Sequence, residues 1–315
     1  MADHLAKGTA AGVRAFAAVT TELVEEARRR HDCYPVAAAA LGRTMTAALL
    51  LAANLKNDEA ITIKVDGDGP LGKVVADASP RGYVRGYVAN PYADLPLNNG
   101  KLAVGAAVGK GLINVTRFTY ETSRFTETTQ KEVDGKLLPF NTGRFTGLKQ
   151  PFTGTVPLVS GEIAEDVANY LLVSEQTPST VSLGVLVDTD FTVMAAGGLI
   201  VQAMPGADDE VLARVEANLA ALPTVSQLVH QGADAASILA GVFTGLEYTT
   251  FAPMPLAFQC QCSTERVENM LVSLGRQELS EMAAEGRAEV RCHFCGEKYQ
   301  IAGKRLKELL LQTGD

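Results

Sequence analysis

No run of eighteen apolar residues occurs anywhere in the 315-residue chain, and a helix needs about that many to cross a bilayer. The most apolar stretch, AALLLAANL at residues 47–55, is too short. The N-terminal MADHLAKGTA lacks the apolar segment of a secretion signal. A soluble, cytoplasmic protein with no membrane partner is the expectation. An excess of positive charge is missing too: 36 acidic residues stand against 28 basic ones, a formal net charge of -8. That balance repels phosphate backbones and argues against nucleic acid as the main partner. Histidine is scarce, and His4, His31 and His230 stand in no recognisable arrangement with an acid or a nucleophile. A serine or cysteine hydrolase needs such a positioned base, and the chain reads as a non-enzyme.

Cysteine is also rare. Four of the five cysteines crowd near the C-terminus, unlike the evenly distributed framework of a secreted disulfide protein. A reducing compartment with metal-bound thiols fits them better.

What is present is apolar bulk, 47% of residues, enough to bury a substantial core, in a chain long enough for two domains. The stretch at residues 13–20 reads as a strand and TELVEEARRRHD, residues 21–32, as a helix capped by Thr21 with arginines in its last turn. A second helix follows Pro35, apolar on most sides and therefore a buried core helix. AITIKVDGDG then alternates Ile61, Ile63 and Val65 with Thr62, Lys64 and Asp66, the period of a half-buried strand. GKVVADA, RGYVRGYVAN and GLINVTRFTY continue as an antiparallel meander. Further on come a strand at FTGTVPLV, a helix over residues 162–174, and a hairpin from Val181 to Pro205 turning at DTD. Sheet with helices gives an α+β class. GDGPLG, residues 67–72, matches a dinucleotide-binding pattern, but no helix follows to receive a pyrophosphate, so it is a hairpin turn.

From Asp208 to Gly245 the pattern is helical. Val211, Leu212, Val215 and Leu219 recur at helical spacing, Pro223 interrupts, and VSQLVHQ and AASILAGVF add two shorter amphipathic segments. Three regions follow: an antiparallel-sheet core with helices over 1–205, a helical linker over 206–250, and a small module over 251–315. The module carries FQCQCS and RCHFCGEKY, a helix STERVENMLVSL stopped by Gly275, and a last helix GKRLKELLLQT after the hairpin that bears CHFC.

Cys260 and Cys262 form a C-x-C pair, and Cys292 and Cys295 a C-x-x-C pair, with 29 residues between Cys262 and Cys292. Two short-spaced pairs brought together supply the four thiolates of a tetrahedral zinc site, one Zn2+ per chain. Spacing alone leaves its role open. Most such sites staple domains too small to fold otherwise, in an adaptor or nucleic-acid-binding protein for example; a catalytic dithiol would need C-x-x-C to open a helix after a strand. With the tetrahedron filled by sulfur, His293 faces solvent, and Cys33 reads as an ordinary semi-buried thiol.

Taken with GDGPLG, YVRGYV, SEQTPS and AAGGLIVQAMP, the cysteine pattern resembles the heat shock protein 33 family of redox-regulated chaperones, over nearly the whole chain. The resemblance implies an ATP-independent holdase whose zinc, when reduced, keeps the module folded and the linker packed on the core. It further implies that oxidation releases the metal and joins Cys260 with Cys262 and Cys292 with Cys295, that the module and linker then unfold, and that homodimers hold unfolded client proteins. Val211, Leu212, Leu219, Leu228 and Ile238 would then contact clients. Cys33 matches no cysteine of that switch.

Residues 121–144, ETSRFTETTQKEVDGKLLPFNTGR, are polar, threonine-rich and longer than the resemblance suggests, with a hairpin-like VDGK in the middle. They read as an insertion or long hairpin. Replacing them with a short glycine-serine turn is expected to leave the thermal midpoint nearly unchanged, since halving a loop alters closure entropy by only about 0.6 kcal/mol. A collapse of the calorimetric transition would make the segment part of the packed sheet.

Overall fold

The computed structural model describes residues 2–56, 59–119, 128–133, 136–141 and 151–312, with the backbone alone for 128–133, 136–141 and 312. Two compact units divide the chain, Met1–Gln259 and Cys260–Asp315.

The first unit begins with a hairpin that the sequence reading only half anticipated. Strand β1 (His4–Ala10) pairs with β2 (Val13–Val19) through a two-residue turn. Ala11 and Gly12 both have positive φ, 35° and 85°, as a tight hairpin requires. A Cβ on Gly12 would also lie 2.7 Å from the Ala207 backbone.

Helices α1 (Thr21–His31) and α2 (Pro35–Ala52) follow. The expected cap at Thr21 is corrected: Thr20 holds the cap position and makes no side-chain cap bond. Its hydroxyl is spent on Thr46, 2.8 Å away, while Thr21 Oγ1 accepts from Ala196 N at 3.0 Å. The free N–H groups of the first turn go instead to Asp3, whose carboxylate accepts from Glu22 N (3.1 Å) and Leu23 N (2.7 Å).

By length and composition α2 would suffice to cross a membrane, which corrects the expectation that no segment qualifies. However, 83% of it is buried inside the protein, as read for a core helix. It contacts β3 (Glu59–Gly67), β4 (Lys73–Ala78) and β5 (Tyr83–Val88), and also β10 (Ser179–Val187) and β11 (Val193–Ala203).

Between these come α3 (Val104–Val108), β6 (Gly111–Thr119), β7 (Thr128–Val133), β8 (Lys136–Asn141), β9 (Phe152–Pro157) and α4 (Ala164–Val173). The meander holds for β3, β4 and β5 but not for the fourth strand. β6 returns on the other side of β3, pairing it from Glu59↔Thr119 to Gly67↔Gly111. Short loops force β3, β4 and β5 to be neighbours, whereas the longer connection through α3 lets β6 cross to the other edge. GDGPLG makes the hairpin turn, with β4 following it. Its glycines allow close approach, since a Cβ on Gly67 would sit 1.9 Å from Val108 O. β7 and β8 pair with each other about the expected turn, Val133↔Lys136; the rest of 121–144 lies outside the described residues.

Helices α5 (Asp209–Ala221), α6 (Val225–His230) and α7 (Ala235–Val242) cover one face of the first sheet. That sheet runs β10-β11-β2-β1-β12, with β12 (Thr249–Thr250) and β13 (Met254–Pro255) both on β1. The second runs β14-β5-β4-β3-β6-β9, with β14 (Ala257–Phe258) parallel to β5. Small residues line the covered face, Ala6, Ala10, Ala15 and Ala17 among them, and meet Val215, Val225, Leu239 and Phe243 of the helices.

The second unit contains α8 (Thr264–Ser273), α9 (Arg276–Glu285), β15 (Arg287–Arg291), β16 (Lys298–Ala302) and α10 (Gly303–Gln312). Helix α9 escaped the sequence reading. It lies between Gly275 and Gly286, both at positive φ, and buries only Leu279 and Ala283. Val267, Leu271, Leu279, Ala283, Ile301, Leu306 and Leu309 make the buried apolar core of this unit.

Burial pushes the Asp3 carboxyl up from 3.8 to about 6, against the two N–H bonds that favour its ionised form. A folded-state pKa above the unfolded one means that Asp3 contributes stability present below about pH 4 and lost as pH rises through about 6. Asp3→Asn is expected to remove up to about 3 kcal/mol of that pH dependence while keeping an acceptor for the helix end. Urea unfolding of both proteins between these pH values measures it.

Candidate metal centre

Each half of the site is set by local backbone chemistry. Cys260 and Cys262 lie just before α8, where the Ser263 hydroxyl accepts from Arg266 N at 3.2 Å and fixes the helix start. Cys292 and Cys295 lie in the turn between β15 and β16. Cys292 N donates to Glu297 O (2.9 Å) and Gly296 N to Cys292 O (2.8 Å). Gly296 adopts φ of 71°, a left-handed conformation that explains a glycine directly after the second cysteine.

The four Sγ atoms lie within 4.8 Å of one another. Cys260 and Cys292 are 3.7 Å apart, Cys262 and Cys295 3.3 Å. Four ligands about 2.3 Å from a tetrahedral zinc stand about 3.8 Å apart, so the sulfurs fit such an ion. Ionisation of two of them is disfavoured as they stand. Cys262 is pushed up to about 11, first by its hydrogen bond with Cys260, and Cys295 is raised by hydrogen bonds with Cys260 and Cys262. A cation held among them would supply the missing charge.

Tyr299 was not anticipated. Its hydroxyl donates to Cys262 Sγ at 3.0 Å. The signal was the alternation of β16, which turns Tyr299 and Ile301 inward while Lys298, Gln300 and Ala302 are exposed.

The remaining candidates lie elsewhere. His293 is exposed, as expected. Cys33 is not semi-buried but sealed, 1% exposed, and burial pushes its thiol up to about 12. His31 Nε2 bonds Gly86 O at 3.0 Å, His4 Nε2 takes the Ala235 N–H at 3.1 Å, and His230 is exposed at the end of α6. Val211, Leu212, Leu219 and Leu228 are half-buried against the apolar cluster of the first sheet, and Ile238 is fully buried in it. No helix opens at Cys292, the context a catalytic dithiol would need.

Comparison with known proteins decides the family. The profile described as Hsp33 protein matches residues 3–138 and 131–302. The chain belongs to the heat shock protein 33 family. It is 49% identical over 314 residues to the 33 kDa chaperonin of Desulforamulus reducens, covering 98% of both chains. The Bacillus subtilis 33 kDa chaperonin is 43% identical over 316 residues, with 99% of each covered. The crystal structure of a heat shock protein 33 homologue from Thermotoga maritima superposes with a TM-score of 0.83 at 36% identity, covering 98% of each chain. The α+β fold is therefore that of the heat shock protein 33 family.

Cys260→Ser or Cys292→Ser is expected to take bound metal from one ion per chain toward none, and to loosen the Cys260–Asp315 unit while the first unit keeps its secondary structure. Elemental analysis and circular dichroism report both. Tyr299→Phe keeps the ligands and removes one hydrogen bond; it is expected to lower metal affinity about 10- to 100-fold in competition with a chelator.

Proposed function

We propose that the protein is a redox-regulated, ATP-independent holdase that binds unfolding proteins under oxidative stress, with one Zn2+ per chain held by Cys260, Cys262, Cys292 and Cys295 in the reduced state. The observation that carries this reading is a four-sulfur site, fitted to a tetrahedral ion, in a unit with a core of seven buried apolar residues. The zinc, when bound, keeps the four thiolates ionised and cross-links the unit.

Such a cross-link is worth about 10–16 kcal/mol in small peptides, against about 5–15 kcal/mol for a whole domain. Losing it unfolds the unit. Each thiolate pair yields two electrons to one molecule of peroxide, which with two protons from solvent gives a disulfide and two waters, and the Zn2+ leaves with no thiolate left to hold it. The family resemblance pairs Cys260 with Cys262 and Cys292 with Cys295. All four sulfurs lie within 4.8 Å of one another, so each of these pairs starts from close range.

On this reading the core is 1–205, the metastable linker 206–250 and the redox-switch module 251–315. The linker helices are amphipathic, and Val211, Leu212, Leu219, Leu228 and Ile238 present apolar surface to a client once they leave the sheet. The uncovered sheet face supports a homodimer of the oxidised form. The names of the relatives, all 33 kDa chaperonins, support a non-enzymatic role.

Peroxide with mild heat is expected to release the metal, remove hydrogen-exchange protection beyond Asp208, and suppress aggregation of a heat-denatured client without ATP, while residues 1–205 stay protected. Metal loss with continued protection of residues 211–243 and unchanged light scattering would leave only a passive zinc staple.

A further inference from the structure

We infer that residues 249–259 are a removable edge strand, and that their departure opens β1 as a site for one extended, uncharged, apolar segment of a client, held by backbone pairing. This rests on the holdase reading and names where and how a client is gripped.

The outer edge of β1 is sealed by this segment, in two pieces of two residues each. Thr249 and Thr250 pair with Thr9 and Gly8, and Met254 and Pro255 with Leu5 and His4. Phe251 N donates to Lys7 O and Leu256 N to Asp3 O, both at 3.0 Å. The same segment then seals the second sheet, Ala257 N donating to Gly82 O (3.0 Å) and Gln259 N to Val84 O (2.8 Å). It then runs directly into Cys260. Its one buried side chain is Leu256, and Phe251 is 54% exposed. Met254 and Phe258 also pack, partly buried, against the same core as Leu256, but the pairing comes in pieces of two residues and the segment is joined to Cys260, so unfolding of the four-sulfur unit removes its C-terminal anchor.

The strap also ends the sheet. Leu256 N faces β1, so the alternation of a strand turns the Pro255 nitrogen away from it, and proline offers no N–H to a further strand. β1 has no such guard of its own. Its outward backbone groups belong to Leu5, Lys7 and Thr9, and the Lys7 ammonium is turned to the Ala53 carbonyl instead of guarding the edge. An unpaired edge of this kind pairs with any extended chain that suits its faces. What suits them is written in the present occupant, TTFAPMPLAFQ, which has no charged residue.

The test uses full-length protein and a fluorescent peptide of that sequence on a solubilising tail, read by anisotropy. The peptide is expected to bind oxidised protein at least tenfold more tightly than reduced protein, and to raise client light scattering in competition. N-methylation at the positions of Phe251 and Leu256 is expected to weaken it at least tenfold. Equal binding of the methylated peptide, or no binding to oxidised protein that does hold a client, overturns the inference. The same titration on chelator-stripped protein decides the edge separately: failure of the oxidised protein to suppress aggregation defeats the redox-holdase reading, whereas failure of the peptide to bind stripped protein defeats the edge.

Discussion

The constraint that organises the unit after Gln259 is a cluster of four sulfurs within 4.8 Å of one another. Three helices and one hairpin share seven buried apolar residues, and units this small ordinarily need a cross-link to stay folded. The local devices around the sulfurs, a serine cap before α8 and a left-handed Gly296 in the turn, only aim them. Hydrogen bonds from neighbouring sulfurs raise the cost of ionising Cys262 and Cys295. A cation held by the four sulfurs would supply such a cross-link.

The first unit has no such condition. α2 is buried between strands of two six-stranded sheets, and its alanines let those strands approach closely. The helices from Asp209 onward are attached differently. They sit on a sheet face rich in small side chains, where a Cβ on Gly184 would lie 2.8 Å from Ser226 and one on Gly8 would press on Phe243 at 3.0 Å. Small residues give close contact but little apolar area per residue, so this layer is held by fit more than by bulk.

Much of this was legible in the sequence because the governing chemistry is local. The cysteine spacing pointed to the cluster, period-2 alternation to β3, and the lack of a helix after GDGPLG to a turn. What escaped depended on partners distant in sequence. The cap of α1 comes from Asp3, eighteen residues before the helix begins, so no local pattern reports it. The place of β6 beside β3 reflects a long connection that pattern does not constrain. β1 holds an alternation interrupted by Gly8 and the two-residue pieces β12 to β14 are too short to have one. Tyr299 was within reach, since the alternation of β16 aims it inward; α9, with two buried side chains, offered almost no signal.

The burial of Cys33 has a consequence of parity. Five thiols are an odd number, and an odd thiol at a surface is what bridges two chains covalently. Here the fifth is sealed and held protonated, so the sulfurs that an oxidant reaches are even in number and all lie in one cluster. On the proposed redox reading they would pair within the chain. Any association between oxidised copies would then be non-covalent, set by concentration and undone by dilution, with no intermolecular bond to cut.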